Sequence, residues 1–104
     1  MRIPRSLTIR GKKWEIRFVD EDKMDNCFGF ADPENNLIQL SKSLTKDEIP
    51  RVFLHELCHA WLHEAGVTKL DHLDSGIDDI VEEIICDNFA ELMISLFELR
   101  WRKK

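Results

Sequence analysis

The sequence predicts an α+β domain in which strands come first and helices follow. Three observations point that way. Apolar and polar residues alternate with a period of two from Leu7 to Phe18, apolar residues return at helical spacing from Ile80 to Leu99, and 104 residues suffice for one hydrophobic core but hardly for two. A single domain over 1–104 is expected, with residues 1–5 and 100–104 as flexible basic ends.

Leu7 and Ile9, the turn signal Gly11-Lys12, then Trp14, Ile16 and Phe18 read as a β-hairpin. DEDKMDN is polar and loop-like. Cys27-Phe28-Gly29-Phe30 and Leu37-Ile38-Gln39-Leu40 then flank the turn residues Asp32-Pro33-Glu34-Asn35-Asn36, which predicts a second strand pair. Thr45-Lys46-Asp47-Glu48 has the form of a capping box, and Pro50 suits the first turn of a helix running to about Ala65, with Gly66 as its C-terminal cap. After a loop at 67–74, Ser75-Gly76-Ile77-Asp78 can cap a long last helix whose apolar residues Ile80, Ile84, Phe89, Leu92, Leu96 and Leu99 mark its buried face.

Composition narrows the function classes. No apolar stretch approaches the ~20 residues that span a bilayer, and the N-terminus lacks the apolar run of a signal peptide, so a cytoplasmic location without membrane attachment is expected. Cys27, Cys58 and Cys86 are an odd number at wide spacing, which fits neither a disulfide framework nor a Cys-x-x-Cys metal knuckle. The net charge of −5 is uneven: residues 1–17 carry six basic residues against one acidic, 100–104 add four basic ones, and the middle is acidic. Phosphate backbones need clustered Lys and Arg, so no nucleic-acid partner is expected at that acidic centre.

His55-Glu56-Leu57-Cys58-His59 spells H-E-x-x-H in the middle of the first predicted helix. Residues i and i+4 lie one turn apart on one face, so both imidazoles can converge on an ion while Glu56 stands aside as a base for a bound water. Zinc suits that chemistry because it lowers the pKa of such a water toward ~7. A catalytic site of this kind requires a third protein ligand. The metzincin pattern would place Gly and His six and ten residues after the first His, and Trp61 and Ala65 stand there instead. His63 lies two turns beyond His55, an axial offset of about 12 Å, too far to share one tetrahedral ion. His72 is reachable from the loop. Glu83 is the preferred ligand, with Asp87 one turn on, able to accept the N–H of a ligand histidine. Glu82, out of phase with Asp87, is expected in solvent.

H-E-x-x-H followed on a later helix by Glu83-x-x-x-Asp87 resembles the gluzincin zinc metallopeptidases. In size and order the chain is most similar to minigluzincins and to small phage and prokaryotic metallopeptidases of the ImmA/IrrE and SprT-like groups. The likeness runs from about Gly29 to Met93. It implies a small twisted sheet over an active-site helix and a long C-terminal glutamate helix, the minimal zincin scaffold. It also implies one zinc per chain on His55, His59 and Glu83, with Glu56 as catalytic base. The strand Leu37, Ile38, Gln39, Leu40 would form the cleft edge on which an extended peptide or protein substrate pairs. Many gluzincins support the oxyanion with Tyr or His; this chain has no Tyr, leaving His72 and His63 as the available imidazoles. Minigluzincins also resemble latent enzymes, and the basic tail Arg100–Lys104 could plug the acidic cleft.

Peptide-bond hydrolysis is therefore the expected function. A zinc-bearing interaction or regulatory module with little turnover is the alternative. A purely structural zinc site is disfavoured, because it needs four protein ligands and has no use for Glu56.

Overall fold

The computed structural model describes residues 2–24, 27–67 and 79–102, with side chains up to Phe97. The loop containing His72, the cap at 75–78 and the side chains of the basic tail lie outside the described residues. The fold is α+β, a four-stranded mixed sheet packed on two helices.

Strands β1 (Ser6–Ile9) and β2 (Lys12–Val19) form the expected hairpin. Its two connecting residues, Arg10 and Gly11, have φ of 48° and 89°. Positive φ at both positions matches the right-handed twist of the flanking strands. The N-terminal residues are tied in: the Arg5 carbonyl accepts from the Ile16 amide at 2.9 Å, and Ile3 packs on the core. The polar segment after β2 contains a short 3-10 turn, Glu21–Met24, which buries Met24.

β3 (Gly29–Asp32) and β4 (Leu37–Ser41) pair antiparallel, and β4 pairs parallel with β2, in the order β1-β2-β4-β3. The strand Leu37–Leu40 is therefore interior, contrary to its expected place at the cleft edge. Ile38 and Leu40 alternate inward and are fully buried, which fits a central strand and leaves β3 as the edge.

Helix α1 (Glu48–Glu64) starts at the capping box: the Thr45 amide donates to Glu48 Oε1 at 2.8 Å and the Glu48 amide donates to Thr45 Oγ1 at 3.2 Å. It ends where Gly66, at φ 75°, donates to His63 O and Val67 donates to Leu62 O, a Schellman closure. Trp14, Ile16, Ile38 and Leu40 from the sheet and Phe53, Leu54 and Ala60 from α1 make the core, which Ala90 of the second helix completes.

Helix α2 (Asp79–Arg102) is helical backbone through Arg102, where a flexible end was expected at 100–104. Its buried side is also not the expected one. Cys86 and Ala90 are buried, with Phe89, Met93 and Ile94 packed alongside, while Ile80, Ile84, Leu92 and Leu96 remain at least half exposed. The reason is the docking of α2 on α1 through small residues at close approach, which turns the larger aliphatic side chains outward. Among the described residues no helix is long and apolar enough to cross a membrane.

Candidate metal centre and cleft

Arg51, His55, His59 and His63 stand four residues apart on α1, one per turn along one stripe. α2 crosses that stripe in the opposite sense, so its own ladder meets it rung by rung. Arg51 pairs with Glu91, His55 with Asp87 and Glu83, and His59 with Glu83 and Glu82.

At the centre, Glu83 Oε1 lies 2.7 Å from His59 Nε2 and Oε2 lies 3.1 Å from His55 Nε2, and the two Nε2 atoms are 3.2 Å apart. The ligand atoms of these three residues all fall within 4.8 Å of one another. A tetrahedral ion with bonds of 2.0–2.1 Å would space them about 3.3 Å apart, so a zinc-sized ion fits the donor set with little adjustment.

The far side of each imidazole is also held. Asp87 Oδ1 lies 2.8 Å from His55 Nδ1, and the Glu82 carboxylate closes on His59 Nδ1. A carboxylate at Nδ1 fixes the tautomer and leaves the Nε2 lone pair for the centre. Glu82 is thus not in solvent: its side chain is 12% exposed, against 56% for Glu83 and 70% for Asp87. His59 sits one turn beyond His55 on α1, and α2 crosses there so that the 100° step from Glu83 to Glu82 still reaches the ring. Helix phase on α2 alone could not show this, since it depends on how the two helices cross.

Glu56 stands beside the set. Burial raises its pKa above the usual 4.5; His59 and His55 pull the other way, Glu83 adds to the rise, and the Ala31 amide, donating to the carboxylate, opposes it. β3 supplies that amide through its register. The Phe28 carbonyl accepts from Ser41 of β4 at 2.9 Å, so the next residues in the alternation, Gly29 and Ala31, direct their backbone groups to the free edge. Gly29 is required by closeness: a Cβ there would stand 2.7 Å from Val52 Cγ1 and 2.9 Å from Glu56 Cγ. The dipeptide Phe28-Gly29 in the sequence carried only a weak signal of this contact. For His59, burial favours the neutral ring, but the Glu82 hydrogen bond, with Glu56 and Glu83, outweighs it and holds the pKa above 6.5.

These groups line an open cleft of about 870 Å³ between β3 and the two helices. Arg51 and His63 lie on its wall at either end of the α1 stripe. His72 lies outside the described residues.

Fold and site together define a metallopeptidase-like domain with a candidate His-His-Glu metal set. The chain belongs to the SprT-like family, whose family model matches residues 5–92, from the first strand to the middle of α2. No curated protein and no solved structure gives a significant match.

Proposed function

We propose that this protein is a zinc-dependent metallopeptidase that hydrolyses a peptide bond in an extended substrate. The observation that carries the proposal is the convergence of His55, His59 and Glu83 beside a partly buried Glu56 inside an open cleft. A structural zinc site would close its fourth position with protein and would not need a base.

His55, His59 and Glu83 would hold the ion. Zinc, when bound, supplies the Lewis acid that polarises the scissile carbonyl and makes water nucleophilic at neutral pH. Glu56 takes the proton of the attacking water and delivers it to the leaving amine. Burial suits both halves of that task, because a carboxyl with a raised pKa is a better proton acceptor and can release the proton again. The Ala31 amide fixes the carboxylate from the strand side. Asp87 and Glu82 keep both rings aimed at the centre. With the Ala31 amide taken by Glu56, the free edge of β3 would offer the Gly29 backbone and the Ala31 carbonyl, so a substrate would add as a further strand and its main chain would pass over Glu56. Arg51 is paired with Glu91, so His63 is the described imidazole on the cleft wall, besides the two ligand histidines, that could support a carbonyl oxygen or a developing oxyanion.

The test is cleavage of an unfolded protein by the zinc-loaded chain. Activity is expected to vanish with a chelator, return with zinc, and be absent in Glu56→Gln at full zinc content. A zinc-loaded protein that cleaves nothing, or a Glu56→Gln variant as active as the parent, would overturn the reading and favour a zinc-bearing interaction module.

A further inference from the structure

The edge at β3 carries two aromatic side chains that the core does not use. Phe28, immediately before the strand, and Phe30 within it are 56% and 49% exposed, and neither packs against the core. Alternation along the strand fixes where they stand. A Cβ on Gly29 would meet Val52 and Glu56 of α1, and Ala31 packs on the core, so Phe28 and Phe30 turn to the opposite face of the sheet. Phe30 is level there with Gln39 of β4 and Arg17 of β2, and Arg17 is exposed as well. Both phenylalanines nevertheless line the cleft that holds Glu56 and the three metal-set residues, because the edge on which they stand is its rim.

That edge is unguarded. Exposed edge strands are commonly blunted by Lys, Pro or an inward charge; from Phe28 to Ala31 there is none, and Asp32 and Pro33 come only where the strand ends. The two rings bracket Gly29, whose backbone groups point to the free edge and whose α carbon lies against Glu56. We infer that Phe28 and Phe30 select the substrate of this cleft, an extended segment with large apolar side chains at two positions, i and i+2, on the face turned away from α1. The inference rests on the peptidase reading for the identity of the added strand. Continuity with the metal set singles out this occupant, since the strand that carries the rings also donates its Ala31 amide to Glu56.

A strand added to β3 has its own alternation. Its side chains opposite Gly29 and Ala31 turn to the α1 side, toward Glu56, and those opposite Phe28 and Phe30 stand on the outer side beside the rings. Successive residues on one face are ~7 Å apart in both strands, so substrate positions i and i+2 match the spacing of the two phenylalanines. Adjacent positions i and i+1 cannot both reach the pair, because one of them faces α1. Each ring that meets an aromatic partner across the strands loses apolar surface to it and gains the edge or offset contact of the two rings, which contributes roughly 2- to 10-fold in affinity per pair. Main-chain pairing with the edge supplies binding that is indifferent to sequence, and the rings supply the discrimination.

Peptide binding to the zinc-loaded Glu56→Gln protein tests the inference without turnover. Two fluorescein-labelled peptides of equal length and composition are compared, one with its two Phe at i and i+2 and one with them adjacent. Fluorescence anisotropy is expected to show the alternating peptide bound about 10-fold more tightly. Adding Phe28→Ser and Phe30→Ser is expected to abolish the preference at unchanged zinc content and melting temperature, since neither ring packs on the core, and Phe28→Leu with Phe30→Leu is expected to retain part of it. Equal affinity for the two peptides, or a preference that survives the serine changes, would overturn the proposal. So would a dimer, seen by sedimentation, that the serine changes dissociate while the peptides remain undistinguished, which would give the edge to a second copy. Cleavage of the same peptides by the parent reports on the peptidase reading separately. Preference without cleavage supports the phenylalanines as selectors of a bound strand and removes only the hydrolytic step; cleavage of both peptides at equal efficiency keeps the peptidase and overturns the role of the rings.

Discussion

Glu82 closes on Nδ1 of His59 while its neighbour Glu83 closes on Nε2, so one imidazole is gripped by two consecutive residues of α2. Glu82, expected in solvent, instead stands against the ring. Removing the carboxylate frees the ring to rotate and to change tautomer, and about 10- to 100-fold weaker zinc binding is expected, comparable to Asp87→Ala at His55. Glu83→Ala removes a ligand and is expected to cost more than either. Competitive zinc titration of the three variants ranks them; a Glu82→Ala protein that binds zinc like the parent would show that the contact does not hold the ring.

Gly29 is the point where strand and helix touch. In Gly29→Ala the new methyl meets Val52 and Glu56, so either β3 lifts away or the Glu56 side chain turns. A loss of about 1–3 kcal/mol in stability is expected from the overpacking, together with a fall in activity larger than the fall in zinc affinity. Thermal unfolding and zinc titration measure the two separately.

The legible parts of the sequence were those encoded locally. The hairpin, the capping box at Thr45 and Glu48, the Gly66 stop and the H-E-x-x-H stripe each follow from neighbours within one or two turns of chain. What escaped depends on non-local pairing. β4 and β3 are both short apolar strands, and only the parallel pairing of β4 with β2 decides that β3 has the free edge. The contact of Glu82 and the exposure of Ile84, Leu92 and Leu96 escaped because the roll of α2 is decided by small residues, Cys86 and Ala90, whose fit against α1 no periodicity of large apolar residues reveals. The same roll leaves Glu83 and Asp87 more than half exposed, on the side of α2 that faces the cleft.

Glu56→Gln is informative without metal as well. In the metal-free fold burial holds the Glu56 pKa above 4.5, so the native state keeps this proton longer than the unfolded chain. Stability from that source is complete below the unfolded pKa and is lost as pH rises through the higher folded value. Glutamine removes the titration. The metal-free variant is therefore expected to melt higher than the metal-free parent at neutral pH, with the gap closing toward pH 4; a gap that does not depend on pH would show that Glu56 ionises as easily folded as unfolded.

Cys58 and Cys86 meet across the two helices. Burial pushes both thiols up, and a hydrogen bond between them raises Cys86 further while opposing the rise at Cys58. Cys27 is exposed. A thiol reagent is expected to label one cysteine rapidly in the folded protein and all three only after unfolding, since the thiolate is the reactive form. Rapid labelling of more than one would mean that the helix pair opens readily.

Zinc binding is expected to release protons, and His59 sets the pH range. Burial alone would keep this ring neutral, but Glu82, Glu56 and Glu83 raise its pKa above 6.5, so in the metal-free protein the ring holds its proton to higher pH than a free imidazole does. A ligating histidine must be neutral, and the ion competes with that proton. Zinc affinity is therefore expected to fall as pH is lowered through the raised pKa. The number of protons released per zinc should increase over the same interval. Calorimetry in buffers of differing ionisation enthalpy counts those protons directly. Because the Glu82 hydrogen bond is the largest of the contributions that raise the pKa, Glu82→Gln is expected to move the dependence to lower pH by weakening the pull on the proton. An unchanged pH profile in that variant would mean that Glu82 does not control the His59 charge.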